Sequence, residues 1–404
     1  MARRAGAGGG VTRSRHLGDA EQTIVKVVPR IDLVGAQAWE ACANPDPATF
    51  NPFLSHAFLD ALEKSGAVGK GTGWVPQHLV LEAPGGDVLG VMPLYAKTNS
   101  QGEYVFDHAW AEALHQAGGR YYPKLQSAVP FTPVPGRRLL ARPGLLETET
   151  ERLLAHAAVA FADRIEASSV HITFLTEGEW RRLGADGFLQ RTGQQFHWRN
   201  EGYRSFDDFL ATLASRKRKQ LRKERAEAQA AVEIFSVTGR EITEAYWDAF
   251  YAFYMDTGSR KWGRPYLNRR FFSLLGATMA DRCLLVFARR AGELVAGALH
   301  LIGGDCLYGR YWGATEHHPS LHFELCYHQA IDYAIAHGLA RAEAGAQGEH
   351  KLARGYLPET TYSLHWLADP RLESAVARYL AEERGEVAEI NALLRDHAPF
   401  KKDG

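Results

Sequence analysis

The run Glu343-Ala344-Gly345-Ala346-Gln347-Gly348-Glu349-His350-Lys351-Leu352-Ala353-Arg354-Gly355-Tyr356 holds the densest set of reactive side chains in the chain. Its glycines let the backbone approach a ligand without interference from a Cβ. Between them Gln347, Glu349, His350, Lys351 and Arg354 supply donors, a carboxylate and an imidazole, the groups that move protons or hold anions. The plain alternative is a polar turn after a strand, its charges simply solvated.

Three further clusters carry chemistry. Over 118–138, aromatic residues and amides (Tyr121, Tyr122, Gln126) alternate with Arg120 and Lys124 among prolines. That composition excludes a central strand or helix and suggests either a groove for an elongated polar ligand or a rigid surface loop. In Ser215-Arg216-Lys217-Arg218-Lys219-Gln220-Leu221-Arg222-Lys223-Glu224 the good helix formers put Lys219, Arg222 and Lys223 on one face. Such a face suits phosphate groups, or else it is solvated and paired as Lys223 with Glu227. Between Glu316 and His328, His318 and His322 have the four-residue spacing of metal ligands, but Pro319 fits a first helical turn and puts His318 outside the helix. No metal is expected; capping and packing, or substrate contact by His322 or Glu324, are the readings that remain.

The elements that must position these groups repeat. A hairpin over 78–82 and 88–95 returns as 284–288 and 294–302, and each copy leads to an aromatic strand, 103–106 or 306–312. A periodic helix then follows, 147–167 or 321–337, and after it a strand, 170–175 or 341–343. We read one α/β (α+β) module used twice, each a mixed, mostly antiparallel sheet flanked by helices. The division is a tail over 1–22, expected to be disordered, a first domain over 23–201 and a second over 202–404 that includes the basic helix over 206–231.

With 404 residues, two domains of ordinary size are expected. Lys+Arg and Asp+Glu each total 47, so no global field draws the chain to DNA or anionic membrane, and electrostatic recognition must be local. The four cysteines, Cys42, Cys283, Cys306 and Cys326, follow neither metal nor disulfide spacing, which fits a cytoplasmic protein. No apolar run is long enough to cross a bilayer, leaving peripheral contact as the only membrane option. Phosphate-loop, nucleophile-elbow and dinucleotide motifs are absent in any strand-to-helix setting, which argues against an NTPase, hydrolase or dehydrogenase.

The runs GWVPQHLVL, RYYPKLQSAVPFTPVPGRRLL, QQFHWRN, SRKRKQLRKERAEA, LYGRYWG, LHFELCYHQAIDYAI and EAGAQGEHKLARGYLP resemble FemAB-like proteins of peptidoglycan biosynthesis or recognition, within the GNAT superfamily of N-acyltransferases. The resemblance covers about Asn51 to Phe400. It implies two tandem GNAT-like domains and attack of an acceptor amine, such as that of a cell-wall precursor, on an activated acyl carbonyl. It further implies His350 or Glu349 as proton acceptor, Lys351 and Arg354 as holders of phosphate or carboxylate, and Tyr308, Arg310 and Trp312 as pocket walls. No tightly bound cofactor is implied; the donor is a cosubstrate, aminoacyl-tRNA or acyl-CoA. Loops 109–114 and 313–320 lack the glycine pattern with which CoA-dependent relatives hold pyrophosphate. A long helical hairpin carried by some Fem ligases is also missing, so tRNA and CoA both stay open, as does a noncatalytic binder of such precursors.

Overall fold

The computed structural model describes residues 23–262, 265–345 and 348–401; the N-terminal tail and Gln347 lie outside them. Among the described residues fifteen strands form in chain order: β1 Ile24–Val28, β2 Trp74–Pro76, β3 His78–Glu82, β4 Val88–Met92, β5 Tyr95–Lys97, β6 Lys124–Ser127, β7 Leu140–Ala141, β8 Ser169–Leu175, β9 Leu189–Arg199, β10 Glu233–Thr238, β11 Cys283–Arg290, β12 Glu293–Ile302, β13 Cys306–Ala314, β14 Arg341–Glu343 and β15 Leu357–Leu367. One eleven-stranded sheet runs β10-β11-β12-β13-β14-β9-β15-β8-β6-β5-β2, and β1-β3-β4-β7 form a second.

Both hairpins read from the sequence form. The first is bent at Pro93, where β4 passes into β5 across a two-residue break. Two expectations need correction. Residues 103–106 form no strand: Glu103 is tied down by Lys124 Nζ at 2.7 Å and Tyr104 turns to a positive φ of 63°. The proline-rich stretch does contribute an interior strand, β6, between β5 and β8, because the four residues from Lys124 to Ser127 fall between Pro123 and Pro130.

The junction of the halves is an exchange. β9 precedes Gly202 in the chain yet pairs with β14, while β15, near the C-terminus, pairs with β8. The two also pair with each other over nine registers, from Leu357↔His197 to His365↔Leu189. Each half is therefore completed by a strand from the other. Their cores merge as well, since Phe58 meets Phe271 at 5.7 Å and Phe53 meets Tyr308 at 5.3 Å, all four rings being buried. The C-terminal helix Pro370–Asp396 packs across β9 and β15.

Candidate active site

Strands β13 and β14 run parallel and stay together for three registers only, Cys306↔Arg341, Leu307↔Ala342 and Tyr308↔Glu343. Beyond Tyr308 they part. On its other side β13 slips against β12 between Leu299↔Tyr311 and His300↔Gly309, so Arg310 is the extra residue of a bulge, without a partner in either ladder. The wedge so opened holds a cavity of about 80 Å³ lined by His300, Arg310, Tyr311, Trp312, Cys326 and Ala344 among others, room for a few non-hydrogen atoms.

Two lining groups point to a missing partner. The Arg310 side chain is 2 % exposed; Nη1 donates to the Gly309 carbonyl at 2.9 Å and Nη2 to Glu343 at 3.4 Å, but Nε has no partner. His300, 1 % exposed, uses Nε2 on the Leu325 carbonyl at 3.2 Å and leaves Nδ1 unpaired. Burial lowers this imidazole to about 4, so it is neutral, and donation from Nε2 leaves Nδ1 a bare acceptor. An orphaned buried polar atom costs the desolvation of that atom, which a ligand can recover. Burial would raise the Glu343 carboxyl, but His197, Arg310 and Arg341 hold it below its ordinary value.

The roof is the helix that begins at Leu321, with a π-helical turn over Glu324–His328. A π turn leaves an irregular carbonyl pattern, here used by His300, and such turns recur at functional sites. Glu324 is fully buried beneath it. It accepts from His328 Nδ1 at 2.9 Å, Gln329 at 2.8 Å and Gln229 at 3.0 Å, so it braces the turn and faces away from substrate.

The turn Glu349–Arg354 forms the neighbouring wall. Gly348 takes φ 114°, and a Cβ there would lie 2.3 Å from the His350 ring, so the position demands glycine. His350 is exposed and its Nε2 bonds the hydroxyl of Tyr327, a cavity residue, at 2.9 Å. Lys351 turns inward, 1 % exposed, donating to the Gly345 carbonyl at 2.8 Å; burial, with Arg310 adding, lowers its amine to about 7. Arg354 lies 3.3 Å over the Phe323 ring and bridges the His350 carbonyl and Glu224, both at 2.7 Å. It thus fixes the turn to the basic helix Ser215–Ala231. The Glu349 side chain lies outside the described residues.

Of the residues expected at the site, Arg310, Trp312, His350 and Lys351 come together around the wedge. Arg354 anchors the adjoining turn. Tyr308 is buried against Phe53, and the Arg310 guanidinium lies 4.9 Å over that Phe53 ring and 5.4 Å over the Tyr308 ring. The expected groove over 118–138 does not form: Tyr121, Lys124 and Gln126 are buried in the N-terminal half, where Lys124 pairs with Glu103 and Asp107 and Gln126 with Thr173. Tyr122 is half-buried on Ser100 at 2.8 Å, and exposed Arg120 sits 3.9 Å from Glu166 at a distant surface. Lys219, Arg222 and Lys223 are exposed on the basic helix, Arg222 meeting Asp207 at 2.9 Å. His318 bonds Glu316, whereas His322 lines the cavity and packs edge-on to Trp312 at 5.2 Å; no group of three potential metal ligands occurs among the described residues. The sequence reading missed His300 and Tyr327, single polar groups in apolar runs that resemble core.

The N-terminal half has the same parting strands. β6 and β8 run parallel over Leu125↔Val170, Gln126↔His171 and Ser127↔Ile172. Here the space beyond is filled by the chain itself: Val129, Phe131 and Val134 are buried, and Gln195 donates to the Pro133 carbonyl at 2.6 Å. The open wedge belongs to the C-terminal half.

The FemAB-like family, described by peptidoglycan biosynthesis or recognition, matches residues 30–402. The chain belongs to this family. Its fold is similar to the crystal structure of FemX, with 12% identity, a TM-score of 0.53 and coverage of 85% of this chain and 98% of that one. It is also similar to the C-terminal domain of a putative lysylphosphatidylglycerol synthetase from Agrobacterium fabrum, with 9% identity, a TM-score of 0.53 and coverage of 86% and 96%. A tandem GNAT protein from the clavulanic acid biosynthesis pathway aligns over 86% of this chain and 99% of its own at 11% identity and a TM-score of 0.47. No curated protein matches the sequence. The family is one of peptidoglycan biosynthesis or recognition, and among the described residues no helix is long and apolar enough to cross a membrane.

Proposed function

We propose that this FemAB-like chain is an N-acyltransferase that joins an aminoacyl or acyl group to the amine of a cell-wall precursor at the wedge between β13 and β14. The observation that carries the reading is the pairing of an open wedge with a lining residue, Arg310, whose buried Nε has no partner. Attack of a neutral amine on the acyl carbonyl forms a C–N bond and a tetrahedral oxyanion; collapse breaks the bond to the donor oxygen or sulfur. Arg310 Nε faces the developing negative charge, where a preorganised donor in a dry site is most effective. His350, hydrogen-bonded to Tyr327, takes the proton that the attacking nitrogen sheds. Lys351 and Arg354 hold the turn in place through Gly345 and Glu224.

The donor is a cosubstrate. Exposed Lys219, Arg222 and Lys223, on the helix that Arg354 ties to the turn, support an aminoacyl-tRNA, whose phosphates such a face holds. Incubating the purified chain with glycyl- or alanyl-tRNA, or with acetyl-CoA, and a nucleotide-linked muropeptide, followed by intact mass measurement, tests the reading. The muropeptide should gain one acyl mass, with tRNA as the better donor. Binding of the muropeptide without mass gain from any donor would make the chain a noncatalytic binder.

A further inference from the structure

The cavity in the wedge, about 80 Å³, has room for few atoms, so whatever the acyl group is attached to must lie at its open end. Among the lining aromatic side chains, Trp312 and His322 mark that end. Both keep part of their surface in solvent, whereas Tyr327 is buried. Tyr311, also half-buried, turns the other way, its ring edge-on to Tyr254 at 5.4 Å. Trp312 and His322 meet edge-on with their planes at 62°, so at most one face of the indole is spent on the imidazole. From His322 the aromatic surface continues to His350, 6.1 Å away between ring centroids.

This aromatic end adjoins the basic helix. Ser320, at the start of the roof, donates to Glu227 of that helix at 3.4 Å, and Arg354, which lies over the Phe323 ring next to His322, donates to Glu224. Exposed Lys223 directly precedes Glu224, and exposed Lys219 stands about one turn before Lys223. A cationic track that ends on exposed rings is the arrangement that holds single-stranded nucleic acid, phosphates on the cations and a base on the ring. The two candidate donors differ at this spot. In an aminoacyl-tRNA the reacting ester oxygen belongs to the ribose that carries the terminal base, so a nucleobase sits beside the acyl group. In an acyl-CoA the thioester sulfur continues into a narrow, unbranched chain, and the adenine lies far from the acyl group.

Resting on the acyl-transfer reading, we propose that Trp312, with His322 at its edge, stacks on the terminal base of an aminoacylated RNA strand and so selects that donor over an acyl-CoA. The test is calorimetric titration of the full chain with a cytidine-cytidine-adenosine trinucleotide that carries glycine on its 3′ end through a stable amide. The same strand without its terminal base is titrated beside it. The complete strand should bind about tenfold more tightly than the abasic one. Trp312→Leu, which keeps apolar bulk without a ring, should erase that difference by weakening the complete strand alone. Trp312→Phe should keep most of it, and acetyl-CoA should ignore both changes. Equal binding of the two strands by the parent, or an equal loss of both in Trp312→Leu, would overturn the subsite. The two readings separate: base-dependent binding that Trp312→Leu erases, without acyl transfer from any donor, keeps the subsite and removes the reaction, and transfer from acetyl-CoA without base-dependent binding does the reverse.

Discussion

His350 and Lys351 are neighbours with opposite fates, one exposed and the other buried, and each yields a distinct prediction. His350→Ala should lower the transfer rate by about 10²–10⁴-fold; a near-normal rate measured by mass spectrometry would remove it as base. Lys351 keeps its amine at about 7 in the folded chain against 10.5 when free, so between those values the unfolded chain binds the additional proton and stability rises with pH. Lys351→Met removes that penalty, and its Tm should exceed the parent's by about 2–4 °C near pH 6.5 and converge toward pH 10; a gap that does not shrink would contradict the burial argument. Cys326 is half-buried in the cavity lining while the other three cysteines are buried, so N-ethylmaleimide should label Cys326 first and stop transfer. The turn was legible in the sequence because glycines and charges stood together there. Tyr121, Lys124 and Gln126 were misplaced because polar residues near prolines look solvated, and only the distant partners Glu103, Asp107 and Thr173 reveal a buried network.

At the scale of elements, the hairpins could be read because each is set by local periodicity and turn chemistry, whereas the helix read over 206–231 is two, Phe206–Thr212 and Ser215–Ala231, broken at Leu213 and Ala214, and the strand read over 103–106 is absent. The exchange of β9 and β15 could not be read. Those strands pair across more than a hundred and fifty residues of sequence, and nothing local specifies that register. The closed wedge of the first half escaped for the same reason. Packing at the open wedge has a sharp test in Gly313, where a Cβ would lie 2.0 Å from the Phe253 carbonyl oxygen of the helix Glu244–Trp262. Gly313→Ala must push that helix from β13 and should cost about 2–3 kcal/mol in denaturant unfolding, as overpacking does; an unchanged midpoint would show that the helix yields freely.

For the whole molecule, the exchanged strands and merged core imply that neither half folds alone. Residues 1–201 and 202–404 expressed separately should be insoluble, and coexpressed they should assemble into one complex that unfolds in a single transition. A stable, monomeric fragment would contradict this. The neutral net charge of the chain makes the basic helix a local patch, so Lys219→Gln with Arg222→Gln should weaken aminoacyl-tRNA binding and flatten its dependence on salt. The central claim concerns the wedge, and the most direct measurement is the transfer rate of Ala344→Phe, which puts a ring into the cavity from a wall residue. Acylation of the muropeptide followed by mass spectrometry should fall at least about 100-fold while the circular-dichroism melt stays near that of the parent. Parental rates with the cavity filled would mean that the acyl group is transferred somewhere else.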